Sequence, residues 1–329
     1  MTLTASVDAR RAHPSSLRPA VFVAGVALFA AWLWLLYELS WLVAFDSDHA
    51  NTVLAGRDLL GNPLLRGWIL PGDPYWLTDL PVFGIVAALL GAGPTTMHLV
   101  PVLFAGAFVA TAWWALGQNG GGAGRWIGTA LVALLVGLPH PALNQFLVSN
   151  LHVATALECL IGAALVVHHP RRPAWWAGVL LLAAAVISDP FAVTIGVLPV
   201  VCAGVAAGLR QRRWTPFTAA VAAALLAGGA APVARLGLRA AGGFGLAPAL
   251  PLAPSSYRLD NLGGVPETLG ALLGVGPASG VSGATAAIRG IGTVLFVLGV
   301  VVAAVRLIVA LIRGPGQEPA PGSSSVDPG

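Results

Sequence analysis

The stretch "AVFVAGVALFAAWLWLLY", residues 20–37, carries no charged side chain and is long enough to cross a bilayer as a helix. Similar uncharged windows lie at residues 97–117, 214–234 and 290–305. Over all 329 residues, 57% are hydrophobic and only 9% are charged, with a mean hydropathy of +0.83. Soluble domains carry about 25% charged residues. The sequence therefore predicts an all-α, polytopic integral membrane protein folded as a helical bundle.

The basic residues indicate how the bundle is oriented. All of them are arginine, and the net charge is +4. They lie in short connections between apolar segments, which is the pattern that sets membrane orientation, so we predict no nucleic-acid partner. If the N-terminal arginines and the connections "GGGAGR", "HHPRRP" and "RQRR" are all cytoplasmic, an even number of crossings separates each pair. The candidate spans that satisfy this rule are residues 21–44, 96–117, 126–143, 151–168, 174–188, 190–208, 215–237 and 290–312.

This scheme predicts about eight spans, a multi-pass location in the cell membrane and two cytoplasmic termini. The apolar segment "PVFGIVAALLG", residues 81–91, is too short to be a further span because its eleven residues reach only about 17 Å as a helix. We expect it to be a short, half-inserted helix. The predicted divisions are a cytoplasmic tail (1–19), a transmembrane domain (20–313) with outer loops at 45–80 and 239–289, and a disordered C-terminal tail (314–329).

The first outer loop, "FDSDHANTVLAGRDLLGNPLLRGWILPGDPYWLTDLP" (residues 45–81), gathers acidic residues in an otherwise apolar chain. Asp46 and Asp48 flank Ser47 where the first span ends. Paired carboxylates can hold a divalent cation through oxygen, or one can act as a general base while the other orients it. The alternative is that any loop leaving a membrane is polar.

The rest of this loop has the composition of a segment that lies on a membrane surface. Residues 48–62 are predicted to form an amphipathic helix, with Val53, Leu54 and Leu60 on one side and His49, Asn51, Arg57 and Asp58 elsewhere around it. The segment that follows supplies Trp68, Tyr75 and Trp76, residue types that favour the lipid–water interface. Such a loop would place its carboxylates at the boundary where a half-lipid substrate lies.

Taken together, these features resemble a known family of membrane enzymes. A first span, a D-x-D at its outer end, surface helices and a "YW-x-T-D-L-P" entry to a short apolar helix resemble the GT-C superfamily of polyprenyl-phosphate-dependent glycosyltransferases. The resemblance is to the protein mannosyltransferase and aminoarabinose transferase branch, in shortened form, and it covers residues 20 to about 210. In that branch an acidic residue of the first outer loop is catalytic or metal-associated, which the resemblance carries over to Asp46 or Asp48. A polar residue at the outer start of a later span corresponds to His152.

The resemblance implies an inverting transfer of a sugar from a polyprenyl-phosphate donor, at the extracytoplasmic face, to an unknown acceptor. Asp46 would accept or orient the acceptor's proton, and an arginine or a cation held with Asp48, Mg or Mn, would stabilise the departing phosphate. The candidate catalytic residues are Asp46, Asp48 and His152. The candidate substrate-binding residues are His49, Arg57, Asp79, Asp189, Arg235 and Arg239.

Several alternatives stay open at this point. His152 can be a helix-capping or core histidine, Asp189 a turn former before Pro190, and Arg57 a partner of neighbouring acids or lipid headgroups. The whole chain can be a non-catalytic GT-C-like subunit that binds lipid or a membrane protein partner. A transporter fits less well, because it would place its ionisable residues at mid-membrane.

Overall fold

The computed structural model describes residues 17–41, 47–118, 123–137, 152–169, 173–212 and 214–247, with a few isolated positions beyond residue 260. Most of this part of the chain is helical. The helices are α1 (Leu17–Ser40), α2 (Ser47–Leu59), α3 (Asp79–Leu90), α4 (Pro94–Gly117), α5 (Ala123–Gly137), α6 (Val153–His168), α7 (Pro173–Ser188), a π-helical turn (Val193–Val197) that leads into α8 (Leu198–Gln211), and α9 (Thr215–Ala240). Two short strands, β1 (Ile69–Leu70) and β2 (Gly245–Leu246), pair in parallel.

Three of the described helices, α1, α4 and α9, are long and apolar enough to cross a membrane. The composition and these helices make the chain a helical membrane protein. The others that were predicted as spans are shorter, between 14 and 16 residues for α5, α6, α7 and α8. The number of spans therefore stays a prediction, and the last predicted span, residues 290–312, lies outside the described ranges.

Two buried clusters hold the bundle together. α1, α4 and α5 pack around Leu36, Val102 and Val109, whereas α6 to α9 pack around Leu182, Val200 and a series of alanines. Alanine and glycine allow close approach of helices where lipid offers no hydrophobic driving force for association. α6 and α7 accordingly meet at Gly162 and Gly178.

α2 and α3 form a cap at one end of this bundle. α3 contacts the first turns of α4 and α6 through Phe83, Val86 and Ala87, which share a cluster with Val100 and Val153. The same end holds the C-terminus of α1, since Ser40 Oγ lies 3.0 Å from His98 Nδ1 in the second turn of α4. α3 therefore lies beside the start of α4.

Arg125, which was predicted to be cytoplasmic, lies at the other end of α4. Its Nε donates to Trp113 O at 2.8 Å, and its guanidinium lies 3.9 Å from the centre of the Trp113 ring. Because α4 spans about 36 Å at 1.5 Å per residue, Arg125 and the cap lie at opposite ends of the bundle. This arrangement agrees with the predicted separation of arginines from the acidic loop.

The structure confirms two predicted short helices and corrects details of both. The predicted surface helix is α2, but Val53 does not share a face with Leu54 and Leu60: Val53 is buried against α3, while the two leucines are exposed. His49, placed on the polar side by the sequence, is buried as well. The predicted half-inserted helix is α3, and it begins two residues earlier, at Asp79.

Candidate functional site

The segment between α2 and α3 is fixed to two other parts of the described structure, the end of α7 and the segment that follows α9. Tyr75 N donates to Ser188 O at 3.1 Å and Leu77 N donates to Ser188 Oγ at 2.9 Å, which ties the segment to the end of α7. Phe244 N donates to Leu64 O at 2.8 Å, next to the pairing of β1 with β2. The two predicted outer loops thus meet at one end of the molecule.

A cleft of about 320 Å³ lies between α2 and this segment, and we call it the acidic cleft. Asp48 and Asp73 supply carboxylates to its wall, and Asn51, Thr52, Trp68 and Tyr75 supply further polar or aromatic groups. Trp68 Nε1 donates to Asp58 Oδ2 at 2.8 Å, which fixes the indole against the end of α2. The acidic cleft therefore offers hydrogen-bond acceptors beside a flat apolar ring.

Tyr75 forms the floor of the acidic cleft and is held in an unusual conformation. Its backbone φ is +52°, and its hydroxyl donates to Asp73 Oδ2 at 2.5 Å. Burial, together with this bond to a carboxylate, raises the pKa of the Tyr75 hydroxyl well above its ordinary value. The sequence grouped Tyr75 with residues that favour the lipid–water interface; in the structure its ring is buried within the protein, and Asp73 accepts the hydrogen bond from its hydroxyl.

His152 and Asp189 form a pair behind Tyr75. His152 precedes α6 with φ of +72°, and its Nδ1 lies 2.5 Å from Asp189 Oδ2. Asp189 is fully buried, and its other oxygen accepts the Phe191 N–H at 2.8 Å. A carboxylate only accepts, so Nδ1 carries the proton of this bond. The bond to Asp189 raises the pKa of His152.

The His152 ring joins this pair to the acidic cleft. It packs edge-on against Tyr75, with centroids 5.6 Å apart, and against Phe191 at 4.7 Å. Tyr75 and His152 are two of the four non-glycine residues with positive φ among the described residues. Such conformations cost about 1–3 kcal/mol each and cluster at functional sites.

Asp79 completes the buried acidic group. It is the first residue of α3 and is fully buried; Thr78 Oγ1 donates to its Oδ2 at 2.8 Å, and the backbone of Ala154 also donates to its carboxyl group. Burial raises the pKa of Asp79 to about 7; the nearby Asp189 raises it further, and the two hydrogen bonds oppose the rise. Its carboxyl group thus lies at the N-terminus of α6, where the helix dipole favours negative charge.

A second, smaller cleft of about 50 Å³ lies on the other side of the connecting segment, and we call it the arginine cleft. Arg235 and Arg239 from the last turns of α9 line it, together with Trp76 and Phe244, whose rings pack edge-on at 5.7 Å. Pro74 lines both clefts. The acidic and arginine clefts are therefore adjacent, separated by the segment that carries Tyr75.

The structure brings some of the predicted site residues together and separates others. His152, Asp189 and Asp79 meet at the start of α6, Asp48 lines the acidic cleft, and Arg235 and Arg239 line the second cleft. Asp46 lies outside the described residues. His49 is buried in α2, and Arg57 is exposed in its last turn and lines neither cleft.

Sequence reasoning missed Asp73, Tyr75 and Trp68 as members of the site. The signal for Asp73 and Tyr75 was the "PGDPYW" stretch, residues 71–76, in which two prolines predict a rigid turn carrying an acid and two aromatics; Trp68 lies before this stretch. The positive φ of Tyr75 cannot be predicted from the composition of this stretch.

The metal predicted at Asp48 has partial support from the residues present. Asp48 and Asp73 place two carboxylates on one cleft, but Asp73 is already bonded to Tyr75. Within the described part of the chain, no group of three His, Cys, Asp or Glu side chains is arranged to hold a metal ion. We therefore derive no step through a metal at Asp48.

No family model, curated protein or solved structure matches this chain. The functional argument therefore rests on the geometry of the two clefts and the buried group behind them.

Proposed function

We propose that the chain is an inverting, GT-C-like glycosyltransferase with about eight spans, which transfers a sugar from a polyprenyl-phosphate donor at the extracytoplasmic face. The observation that carries the proposal is the adjacency of the two clefts. Carboxylates line one, arginines line the other, and Pro74 borders both. One ligand with hydroxyl groups at one end and a phosphate beside them would engage both clefts at once.

Each cleft suits a different part of such a donor. The guanidinium forks of Arg235 and Arg239 match phosphate oxygens, and the aromatic and aliphatic side chains around them suit the first units of a polyprenyl chain. Carboxylates and Asn51 in the acidic cleft suit sugar hydroxyls, and the Trp68 ring suits the apolar face of a sugar. The long apolar helices would hold the clefts at a membrane, where a polyprenyl-linked donor is dissolved.

The proposed reaction is a single displacement at the anomeric carbon. The Asp48 carboxylate accepts the proton of the acceptor hydroxyl while the acceptor oxygen bonds to the anomeric carbon. The bond from that carbon to the phosphate oxygen breaks, and its electron pair leaves with the polyprenyl phosphate. Arg235 and Arg239 stabilise the new negative charge. Asp46 stays a candidate for the same proton or for its orientation.

The test is transfer of labelled sugar from polyprenyl-phosphate donors in membranes that contain the protein. Asp48→Asn and Asp46→Asn should each leave stability within about 0.5 kcal/mol, the usual range for surface positions. At least one of them should lower transfer about 100-fold, the scale of losing a general base. Glu38→Gln is the matched control: Glu38 is exposed on α1 and lines neither cleft, so we expect wild-type transfer.

Arg235→Gln tests the phosphate side separately. It should raise the donor concentration needed for half-maximal transfer as well as lower the maximal rate, because phosphate is bound both before and during the reaction. Arg212→Gln, at an exposed position after α8, is the control. If all the variants transfer sugar as well as the wild type does, the carboxylates serve only to keep the loop hydrated and take no part in catalysis. If the wild type transfers sugar from none of the donors, our proposal becomes the alternative, a non-catalytic subunit that binds lipid.

A further inference from the structure

Three buried oxygen atoms near the start of α6 have no hydrogen-bond partner among the described residues. They are Asp79 Oδ1, Thr155 Oγ1 and Glu158 Oε2. The side chains of Asp79 and Thr155 are fully inaccessible to solvent. Nearly all buried polar atoms in proteins are paired with protein, water or an ion, so three orphaned oxygens in one region require a common explanation.

The three oxygens belong to one side of α6. Ala154 shares a buried cluster with Phe83 and Val86 of α3, and its N–H donates to the Asp79 carboxyl group, so α3 and Asp79 lie on that side of the start of α6. At about 100° per residue, Glu158 projects about 40° around the helix from Ala154, and Thr155 projects about 60° beyond Glu158. Thr155 and Glu158 are three positions apart, so their side chains are neighbours on the helix surface.

When Asp79 and Glu158 are both ionised, the charges in this region do not balance without a further positive group. Asp79 and Glu158 are close enough for their carboxyl groups to repel each other electrostatically. The nearby basic group, His152, is bonded to Asp189. Within the described ranges, neither Asp79 nor Glu158 has a salt-bridge partner. Two carboxylates that are taken out of water without a cation carry a large desolvation cost.

We propose that Asp79, Thr155 and Glu158 bind a hard cation between α3 and α6, with oxygen as the only ligand type. Carboxylate and hydroxyl oxygens are ligands for Na⁺, Mg²⁺ and Ca²⁺, and water completes the coordination. The ion offsets the two carboxylates and supplies the partner that each orphaned oxygen lacks. Glu158, an acid in an apolar helix, then has a role there. This site is separate from the acidic cleft, and its existence does not depend on sugar transfer.

The first experiment measures thermal unfolding of the purified full-length chain in detergent, with no sugar donor present. Sodium, magnesium and calcium chloride are compared with choline chloride at equal ionic strength and about pH 8, where protons compete less with a cation for carboxylate ligands. We expect one of the three cations to raise Tm saturably, by about 5 °C or more at a concentration about 100 times its Kd. The cation that does so identifies the ion.

Lowering the pH supplies an independent prediction. At about pH 5.5 protons compete with the cation for Asp79 and Glu158, so the Tm rise should shrink. Other ionisable groups also face this region, so the comparison is always between cation and choline at one pH. They are Asp73, Tyr75, His152, Cys159 and Asp189.

Substitutions then locate the site. Thr155→Val and Glu158→Gln each remove one ligand with little change in shape and should weaken the apparent cation affinity at least 10-fold. Thr96→Val is the matched control: Thr96 is also fully buried, but its hydroxyl donates to Gly91 O at 2.6 Å, so the variant should lower Tm and keep the cation-dependent rise. Asp79→Asn would remove the third proposed ligand. If that variant fails to fold, Thr155→Val and Glu158→Gln still test the cation site.

Two outcomes overturn the proposal. In one, no cation raises the Tm of the wild type above the value in choline. In the other, the rise in Tm is the same in Thr155→Val and Glu158→Gln as in the wild type. The cation would then act at the protein surface or on the detergent, and not at the proposed site. Because no donor is present, neither outcome bears on sugar transfer, which the membrane assay tests by itself.

Discussion

Among the described helices, two pairs meet with a glycine on each side, and the two crossings differ in how closely the backbones approach. Where α2 crosses α3, a Cβ atom added to Gly84 would lie only 2.4 Å from Gly56 O. Where α6 crosses α7, a Cβ added to Gly162 would lie 2.9 Å from Gly178 O. The closer crossing is thus the one beside the acidic cleft, and the looser one lies within the bundle.

The difference shows how two kinds of helix pair are held in one protein. α2 and α3 have 13 and 12 residues, lengths at which isolated helices are marginal in water. Direct contact of their backbones lets these short helices bury Val53 and Phe83 together. α6 and α7 are longer and share a larger alanine-rich core, so they tolerate a wider separation. We therefore expect the cap to be more sensitive to an added methyl group than the bundle.

The largest expected effect follows from Gly84→Ala. The new methyl group meets the backbone oxygen of Gly56, which cannot rotate away, so α2 must move from α3. We expect a loss of about 3 kcal/mol in the free energy of unfolding, the upper range for overpacking. Chemical unfolding in detergent measures the loss. The variant should also lose sugar transfer if the proposed function holds, since α2 carries Asp48.

Gly162→Ala is the partner experiment that decides whether the comparison is right. Its methyl group would meet Gly178 O at 2.9 Å, and its other near neighbour is the Leu182 side chain, which can move. We expect a smaller loss, of about 2 kcal/mol. A loss equal to or greater than that of Gly84→Ala would show that the closeness of the backbones does not set the sensitivity of the two regions.

The next effect concerns the buried pair behind the cleft. In Asp189→Asn the amide oxygen can still accept the Phe191 N–H, but the charged bond to His152 is lost, at a cost of about 2 kcal/mol. Asp189 raises the pKa of His152 above its ordinary 6.5. The stabilisation from the pair is therefore fully present below about pH 6.5 and is lost as the pH rises through the folded-state pKa.

Comparison of the two proteins across pH checks this assignment. The difference in Tm between wild type and Asp189→Asn should be largest at about pH 6 and should narrow towards about pH 9. His152→Gln should reduce the same pH dependence. A difference in Tm that stays constant with pH would show that the charged bond to His152 does not account for the stabilisation by Asp189.

The sequence predicted the elements of the molecule better than their contacts. Charge-free runs predicted the helices α1, α4 and α9, and the apolar run at residues 81–91 predicted the short helix α3. Arg235 and Arg239 were predicted together because both lie at the predicted outer end of the span at residues 215–237, before a long loop. Helical periodicity is local, so one sequence suffices to detect it.

The pairing of His152 with Asp189 could not be predicted, although each residue was named, because it joins a helix start to a turn 37 positions later. Burial of Tyr75 depends in the same way on a partner and on an unusual φ. The glycine crossings arise from the approach of two helices, which composition alone does not reveal. Tertiary packing decides all three.

Tyr75→Phe should have a modest effect on the cap. It removes the hydroxyl that donates to Asp73, at a cost of about 1 kcal/mol, because Asp73 is partly exposed and water can replace the donor. The ring contact with His152 is kept. Unfolding in detergent measures the loss, and a value above about 3 kcal/mol would show that the hydroxyl holds more of the cap than this one bond.

The smallest expected effect is that of Gly106→Ala, at a third glycine contact, between α4 and α1. A Cβ atom at Gly106 would lie 2.9 Å from Leu33 Cδ2, about as close as in α6–α7, but the neighbour is the end of a flexible side chain. Leu33 can change rotamer towards lipid, and alanine favours a helix over glycine by up to about 1 kcal/mol. The two terms oppose each other, so we expect unfolding free energy within about 0.5 kcal/mol of wild type. A loss as large as that of Gly162→Ala would mean that the distance alone, and not the stiffness of the neighbouring atom, decides what an added methyl group costs.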